Sequence, residues 1–371
     1  MRGVLLSCLL CACQAAPGSE PVRPCVEPVF PTHPKAAALQ QVLNDLHAAG
    51  FPGVAAFART REGTWAGAAG FSDLERLTPM QTCTVSRAGS ATKLFTALLV
   101  VKLAERGLLD LDDPLSKYLP ERTLKGIANA DRATIRQALS HTTGIPVPLD
   151  DPGFALDTLY ERPTQLKSTL DMLSVIRGRP ASFAAGEGWQ YSNPNFELLG
   201  LVIEQVTGVS YEAALEREVL RPLALDDTTF GASSGVAHGF IDLHGDGTLI
   251  DSSAWAMGTQ SPAGGLVSNV FDLARFLEVA TKEPRLQVFH EVPVKAAVAP
   301  GHTGYGLGLM RWHTEGGDFI GHGGLLFGWQ AWVFTKPDAG VTWVLLTNAA
   351  LGKASTDFHP FQRRAAAVLL E

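Results

Sequence analysis

The segment LFTALLVVKLAERG, residues 94–107, constrains the fold more than any other part of the chain. It is apolar almost all round, a pattern that is typical of a helix buried at the centre of a protein. Gly107 ends the pattern, as glycine does at many helix C-termini. The rest of the chain therefore has to pack around this helix on every side.

A serine and a lysine lie at the start of this segment. Ser90 and Lys93 are three positions apart, nearly one helical turn, so a helix that begins near Ser90 places the amine beside the hydroxyl. A buried lysine is costly unless its charge or its basicity is used. The alternative is an ordinary N-cap serine followed by a lysine that extends to solvent. Ser-x-x-Lys occurs only here in the chain.

The composition excludes several classes of function. With 371 residues, 46% hydrophobic and 18% charged, the chain is that of a globular protein with one or two domains. The net charge of −7 and the lack of a long basic run argue against a nucleic-acid partner. No Cys/His spacing resembles a zinc site and no glycine loop resembles a P-loop, so we expect no metal and no other cofactor.

The N-terminal residues predict export. Residues 1–12 form a short apolar signal peptide, and LCAC, ending at Cys13, resembles a bacterial lipobox whose cysteine carries lipid. The alternative is that Cys13 is one more small residue in a signal cleaved further on. We therefore expect a periplasmic or membrane-anchored lipoprotein, or a secreted protein. Residues 13–33 are rich in proline and predict an extended tether. Of the remaining cysteines, Cys25 and Cys83 can pair in an exported chain.

The order of helices and strands predicts an α+β fold. Residues 34–95 form the first part of an α/β domain, with a helix at 35–50 and two strands joined by a tight turn. Helix signals dominate residues 96–249. Residues 250–371 return to strands, of which YGLGLMRW, GGDFIGHGG, WQAWVFTK and VTWVLLTNA are examples, and close with a helix from about residue 358. This order predicts one antiparallel sheet built from both ends, flanked by N- and C-terminal helices, with a mostly helical domain inserted.

Two further triplets accompany Ser-x-x-Lys: YSN at residues 191–193 and HGG at residues 322–324. The three motifs, in this order, resemble those of the serine β-lactamase and penicillin-binding-protein superfamily, in its class C β-lactamase, D-alanyl-D-alanine carboxypeptidase and esterase branch. Connecting segments such as ATIRQALSHTTGIP and SPAGGLVSNVFDLARF are also similar to that branch, so the resemblance covers roughly residues 36–370.

The resemblance implies a serine hydrolase that forms an acyl-enzyme on Ser90. Its substrate would be a small molecule or a peptide with an amide or ester bond, such as a peptidoglycan stem peptide, a β-lactam or an ester. The oxyanion hole would be the backbone N–H groups of Ser90 and Leu325. Gly323 and Gly324 would let the strand approach the substrate, and Asn193 would orient Lys93 and the substrate. The alternative is a penicillin-binding or assembly protein with little turnover.

Two residues can act as the base that activates Ser90. Lys93 and Tyr191 have reference pKa values of about 10.4 and 10, so either pKa must fall by about 3 units. A neighbouring ammonium in a partly dry cleft lowers the pKa of a phenol, which favours Tyr191 as the base. The reverse assignment stays open, because the pair would titrate jointly.

The third motif carries histidine where many relatives carry lysine. His322 is the expected residue, although HTG at residues 302–304 also fits the motif. A histidine with a reference pKa of about 6.5 is mostly neutral above pH 7, so it is a weak anchor for a substrate carboxylate. This favours carboxypeptidase-like or ester-hydrolysing activity. If His322 titrates, lowering the pH from 8 to 6 should raise the preference for carboxylate-bearing substrates. His141, in SHTTGIP, is interpreted as a loop-stabilising residue.

Overall fold

The computed structural model describes residues 25–231, 234–256, 258–289, 301–350 and 353–371. The expected signal peptide and the expected lipidation site at Cys13 lie outside these residues. Within them the chain has mixed helices and strands with one large antiparallel sheet, which confirms the predicted fold class.

Ten helices occur in the described part of the chain. They are α1 (Ala36–Ala48), α2 (Thr92–Glu105), α3 (Glu121–Leu124), α4 (Ile135–Leu139), α5 (Pro152–Leu156), α6 (Thr169–Val175), α7 (Asn193–Thr207), α8 (Tyr211–Leu215), α9 (Val270–Ala280) and α10 (Lys353–Leu370). No single helix among the described residues has the length and apolar composition to cross a membrane, whereas the bent pair Asn193–Thr207 and Tyr211–Leu220 passes that test by length and composition alone.

The strands are β1 (Gly53–Thr60), β2 (Gly63–Asp73), β3 (Thr78–Pro79), β4 (Ser86–Arg87), β5 (Thr229–Phe230), β6 (Phe240–Ile241), β7 (Ile250–Asp251), β8 (Leu266–Ser268), β9 (His302–Tyr305), β10 (Met310–Thr314), β11 (Gly317–Leu326), β12 (Trp329–Lys336), β13 (Val341–Thr347) and β14 (Ala349–Ala350). Eight of them form the large sheet in the order β3-β2-β1-β13-β12-β11-β10-β9. The N-terminal strand β1 pairs with the C-terminal strand β13, so both ends of the chain build the same sheet.

Alternating side chains divide the sheet into two faces. On β12, Ala331 and Val333 join the core around α2, whereas Trp332 and Phe334 join a second core that also contains α1 and α10. This alternation follows from the two-residue period of a strand whose two faces are both covered. The sheet therefore separates the core of the helical region from the core of the terminal helices.

Helix α2 occupies the centre of the first core. All its residues from Thr92 to Val101 are buried, as the apolar pattern predicts. A 3₁₀ turn, Gly89–Ala91, leads into it. The Thr92 hydroxyl donates to the carbonyl of Gly89 at 2.7 Å and accepts from the backbone N–H of Leu266 at 3.0 Å. These bonds fix the turn that carries Ser90.

The first described residues are held against the body of the protein. Cys25 and Cys83 form a disulfide, with Cα atoms 5.5 Å apart. Next to it, the Glu27 carboxylate accepts hydrogen bonds from the backbone N–H and the hydroxyl of Thr82, both at 2.8 Å. Phe30 packs against Phe57 at 6.3 Å between ring centroids. Residues 25–30, part of the predicted tether, are therefore anchored at three points.

Candidate active site

Ser90 and Lys93 lie side by side at the start of α2. Ser90 is partly exposed, whereas Lys93 is 0% exposed. Nζ of Lys93 lies within hydrogen-bonding distance of the Ser90 hydroxyl oxygen, at 3.2 Å. The alternative in which Lys93 extends to solvent therefore does not occur.

The Lys93 amine has two further acceptors, the side-chain oxygen of Asn193 and the carbonyl of Ala263, both at 2.8 Å. A neutral amine has two N–H donors and one lone pair. Because Asn193 and Ala263 can only accept, they fit the two donors, and the lone pair is left for the Ser90 hydroxyl. Burial lowers the pKa of Lys93 to about 7, and the nearby Glu197 carboxylate opposes that fall.

Tyr191 lies over the same amine, with Nζ of Lys93 4.8 Å from the ring centroid. The ring is partly exposed, but the hydroxyl is buried. Burial raises the pKa of Tyr191, and the neighbouring Ser90 hydroxyl opposes the rise only in part. With a pKa of about 7, Lys93 is only partly protonated at neutral pH, so it cannot lower the pKa of Tyr191 as a permanent ammonium would. The structure therefore lacks the permanent positive charge on which the sequence-based preference for Tyr191 as the base depends.

The loop that carries Tyr191 is held by His141. The backbone N–H of Ser192 and the side-chain amide of Asn195 donate to Nδ1 of His141 at 3.3 and 3.1 Å. The His141 ring lies 4.4 Å from the Tyr191 ring, measured between centroids. Burial, aided by Lys93, lowers the pKa of His141 well below its usual value. These contacts agree with the interpretation of His141 as a residue that stabilises the loop.

Strand β11 passes very close to the Ser90 turn. A Cβ atom on Gly324 would overlap the carbonyl oxygen of Ala88, and a Cβ atom on Gly89 would lie 2.9 Å from the backbone nitrogen of Leu325. Gly89 also has φ +50°, which favours glycine. The two glycines thus bring the backbones of Ser90 and Leu325 together, as the predicted oxyanion hole requires.

His322 is on β11 but is closed off from solvent, with 0% of its surface exposed. Its Nδ1 donates to the carbonyl of Gly323, and its Nε2 accepts from the Tyr305 hydroxyl at 2.9 Å. Both ring nitrogens are therefore satisfied in a neutral tautomer. Burial, and then Lys93, lowers the pKa of His322 well below its usual value. Burial therefore favours the neutral form of the ring.

His302, the other candidate for the third motif, contacts a different set of aromatic rings. Its ring lies 6.1 Å from the rings of Trp332 and Phe334, which are in the core on the opposite face of the sheet. The ring of His322, by contrast, is 6.2 Å from Tyr191. His322 therefore contacts the ring of Tyr191. His302 contacts the rings of the opposite face and also lines the cavity into which Ser90 opens.

Ser90, Tyr191 and Asn193 open into a cavity of about 430 Å³. Its apolar lining includes Leu149, Met172, Leu325, Leu326 and Phe327. Gly323 and Gly324 also line it, as expected. No lysine or arginine lines the cavity among the described residues.

Sequence reasoning missed two polar residues of the site. Glu197 is 1% exposed and lines the cavity, and Tyr305 donates to His322. Glu197 follows Asn193 by four positions on α7, so helical spacing was a usable signal for it. Tyr305 lies in YGLGL, and nothing in that segment indicates a contact with His322.

A family model described as Beta-lactamase matches residues 39–368. Protein flp of Staphylococcus aureus (strain MRSA252) is 26% identical over 288 residues, which cover 75% of this chain and 56% of that protein. Esterase EstB of Burkholderia gladioli is 35% identical over 186 residues, 48% of this chain and 46% of that protein. The chain thus spans about half the length of these curated relatives.

Solved structures also resemble this fold. A D-stereospecific amidohydrolase from Streptomyces sp. superposes with a TM-score of 0.75 and 29% identity, over 88% of this chain and 98% of that one. D-amino acid amidase from Ochrobactrum anthropi SV3, complexed with L-phenylalanine amide, gives a TM-score of 0.77 at 22% identity over 90% and 97% of the two chains, a likeness of fold.

Proposed function

Because this chain belongs to the beta-lactamase family, we propose that it is a serine hydrolase that cleaves ester or amide bonds through an acyl-enzyme on Ser90. The observation that carries the proposal is the hydrogen bond between the buried Lys93 amine and the Ser90 hydroxyl. A serine hydroxyl is a weak nucleophile and needs an adjacent base. Lys93 meets that need within hydrogen-bonding distance.

Lys93 is the base in this proposal. With a pKa of about 7, close to half of the amine is neutral at neutral pH. Tyr191, whose pKa is raised, stays protonated and acts as a hydrogen-bond donor beside Ser90. This reverses the assignment favoured by the sequence, because burial affects an amine and a phenol in opposite directions.

In the acylation step, Oγ of Ser90 bonds to the substrate carbonyl carbon while its proton moves to Nζ of Lys93. The backbone N–H groups of Ser90 and Leu325 bind the resulting oxyanion. Collapse of the tetrahedral intermediate breaks the bond to the leaving alcohol or amine, which receives the proton from Lys93. Water then attacks the acyl-enzyme by the same sequence of transfers and releases the acid.

The preferred substrate is a neutral ester or amide with an apolar acyl group. The apolar side chains that line the cavity favour such a group. His322 is buried, and no lysine or arginine lines the described part of the cavity, so a carboxylate has no permanently charged cationic partner there.

Export remains part of the proposal. The disulfide between Cys25 and Cys83 supports an oxidising compartment, since disulfides are rare in reducing ones. Lipid attachment at Cys13 is a proposal from the sequence alone.

The test is a panel of acetyl, butyryl and hexanoyl nitrophenyl esters, a D-phenylalanine amide, a D-Ala-D-Ala peptide and nitrocefin, run on wild type and on Ser90→Ala. We expect a burst and then steady turnover of the esters, with an acyl adduct visible in the intact mass of wild type. Ser90→Ala should show neither.

An adduct that persists in Ser90→Ala, or a wild type that never acylates, would overturn the assignment. Acylation of wild type without turnover of any substrate would instead favour a penicillin-binding protein of low turnover.

A further inference from the structure

Glu197 is a buried acid that the acylation steps do not use. It is the fifth residue of α7, four positions after Asn193, so both side chains lie on the same face of the helix. Its side chain is 1% exposed and lines the same cavity as Ser90. A carboxylate in such a place costs free energy, so it needs hydrogen-bond donors and a role.

Both carboxylate oxygens of Glu197 have a hydroxyl donor. Thr169, the first residue of α6, donates to Oε2, and Ser261 donates to Oε1. The pKa of Glu197 is raised overall because the residue is buried, and these two hydroxyls and Lys93 oppose that rise. Two donors and no acceptor suit the ionised form.

Ser261 connects Glu197 to the base. The Ser261 hydroxyl oxygen accepts a hydrogen bond from the backbone N–H of Ala263 at 3.0 Å. The Ala263 carbonyl in turn accepts a hydrogen bond from Nζ of Lys93 at 2.8 Å. Because Glu197 orients the Ser261 hydroxyl, it also fixes the backbone that binds one N–H of the amine. A chain of hydrogen bonds therefore runs from the carboxylate to Lys93.

We propose that Glu197 is a positioning residue for Lys93. Glu197 holds the Ala263 carbonyl against the Lys93 amine, and its negative charge sets how readily that amine gives up its proton. This inference rests on the proposed function, because it concerns the base of that reaction. Glu197 touches neither Ser90 nor the reacting carbonyl, and it acts only through Lys93 and Ser261.

Other titratable groups face the pair from the surrounding elements. Lys93 interacts with Glu197 on α7, with Tyr191 on the preceding loop, with His141 and with His322 on β11; Glu197 interacts in addition with Tyr211 on α8. Both histidines have lowered pKa values and both tyrosines have raised ones, so burial favours the neutral form of all four. Glu197 is the one anion of this set near Lys93.

The sign of the effect follows from this geometry. Activity rises with pH as Lys93 loses its proton, and a nearby anion stabilises the protonated amine. Glu197→Gln keeps the size and polarity of the side chain but removes its charge. The acidic limb of the kcat/KM profile should therefore move to lower pH by about one unit. At pH 6, activity relative to its own plateau should rise about fivefold.

The experiment measures the rate of Ser90 acylation by nitrophenyl butyrate from pH 5 to 9, in the full chain. Glu105→Gln is the matched control, since it removes the same charge from an exposed site on α2. Glu197→Asp is the conservative variant: it retains the charge, so its limb should stay near that of wild type even if its plateau falls. A shift in Glu197→Gln alone supports the proposal.

An unshifted limb in Glu197→Gln, or an equal shift in Glu105→Gln, would overturn it. If Glu197→Gln does not fold, Ser261→Ala replaces it: losing one hydroxyl donor favours the protonated carboxyl group, so the limb should again move to lower pH, and an unmoved limb would refute the proposal. A wild type that never acylates at Ser90 would refute the proposed function instead, and would do so before any variant is compared.

Discussion

At the scale of single residues, burial decides which groups around Ser90 carry charge. Burial lowers the pKa values of the bases Lys93 and His322 and raises the pKa of the acid Tyr191. In each case burial favours the neutral form. These three groups beside Ser90 are therefore neutral or only partly charged. The selectivity of the site for substrate charge follows from this property.

His322 provides a test of that property. Because its pKa lies well below 6.5, the ring gains no charge between pH 8 and 6. The ratio of kcat/KM for nitrophenyl hydrogen succinate to that for nitrophenyl butyrate should therefore stay constant within about twofold over this range. The substrate carboxylate remains ionised throughout, and titration of Lys93 affects both esters equally and cancels. A ratio that climbs several-fold at pH 6 would mean that a protonated His322 faces the substrate.

The motifs predicted which residues meet, but not their protonation states. Ser90, Lys93, Tyr191 and Asn193 converge as the resemblance implied, since motif order and helical spacing can be read from sequence. The choice between Lys93 and Tyr191 as base depends on which atoms cover each group. That covering comes from residues distant in sequence, such as Ala263, and no local pattern contains it.

At the scale of elements, β11 lies so close to the Ser90 turn that Gly324 has no room for a side chain. Gly324→Ala should force the strand away from Ala88 and displace the N–H of Leu325 from the oxyanion. We expect kcat/KM to fall by about 10²-fold or more and the protein to lose about 1–3 kcal/mol of stability. Ester kinetics and thermal unfolding measure the two effects.

Gly323→Ala is the matched variant for the stability measurement. The nearest atom to a Cβ atom on residue 323 would be the carbonyl oxygen of Ala331 at 4.0 Å, so a methyl group fits there. This variant should unfold at or above the wild-type temperature. Equal stability and activity of Gly324→Ala and Gly323→Ala would show that β11 can move away from Ala88 without loss of stability or activity.

Regular elements with a clear period were predicted closely, and those interrupted by glycine were not. WQAWVFTK is strand β12 and VFDLARFLEVA is helix α9, as expected. YGLGLMRW was predicted as one strand, which is wrong: β9 ends at Tyr305, a turn follows in which Gly308 has φ +75°, and β10 begins at Met310. The final helix begins at Lys353, before the predicted start at about 358. A left-handed glycine breaks a strand without changing its hydrophobic pattern.

At the scale of the whole molecule, the large sheet joins the N-terminal and C-terminal parts of the chain. The disulfide between Cys25 and Cys83 adds a covalent connection. Strands at both ends around a helical middle predicted one antiparallel sheet built from both ends. The sequence did not indicate that β1 would pair with β13. The partner of each cysteine was only a possibility in the sequence, since sequence gives no distance between Cα atoms. The contacts of Glu27 and Phe30 with the body were not predicted at all.

The disulfide closes a loop with a sequence separation of 58 residues. Loop-closure entropy for that length is worth about 4 kcal/mol, so replacing Cys25 and Cys83 with serine should lower the midpoint of thermal unfolding by roughly 5 °C. The contacts of Glu27 and Phe30 keep the segment near the body in the folded state, so activity towards nitrophenyl butyrate at 25 °C should be retained. Thiol titration of the exported, denatured and unreduced protein, with Cys13 replaced, should find neither Cys25 nor Cys83 free. Two free thiols, or an unchanged unfolding midpoint in the double variant, would show that the bond does not form in the exported protein, and the support it lends to export would then be lost.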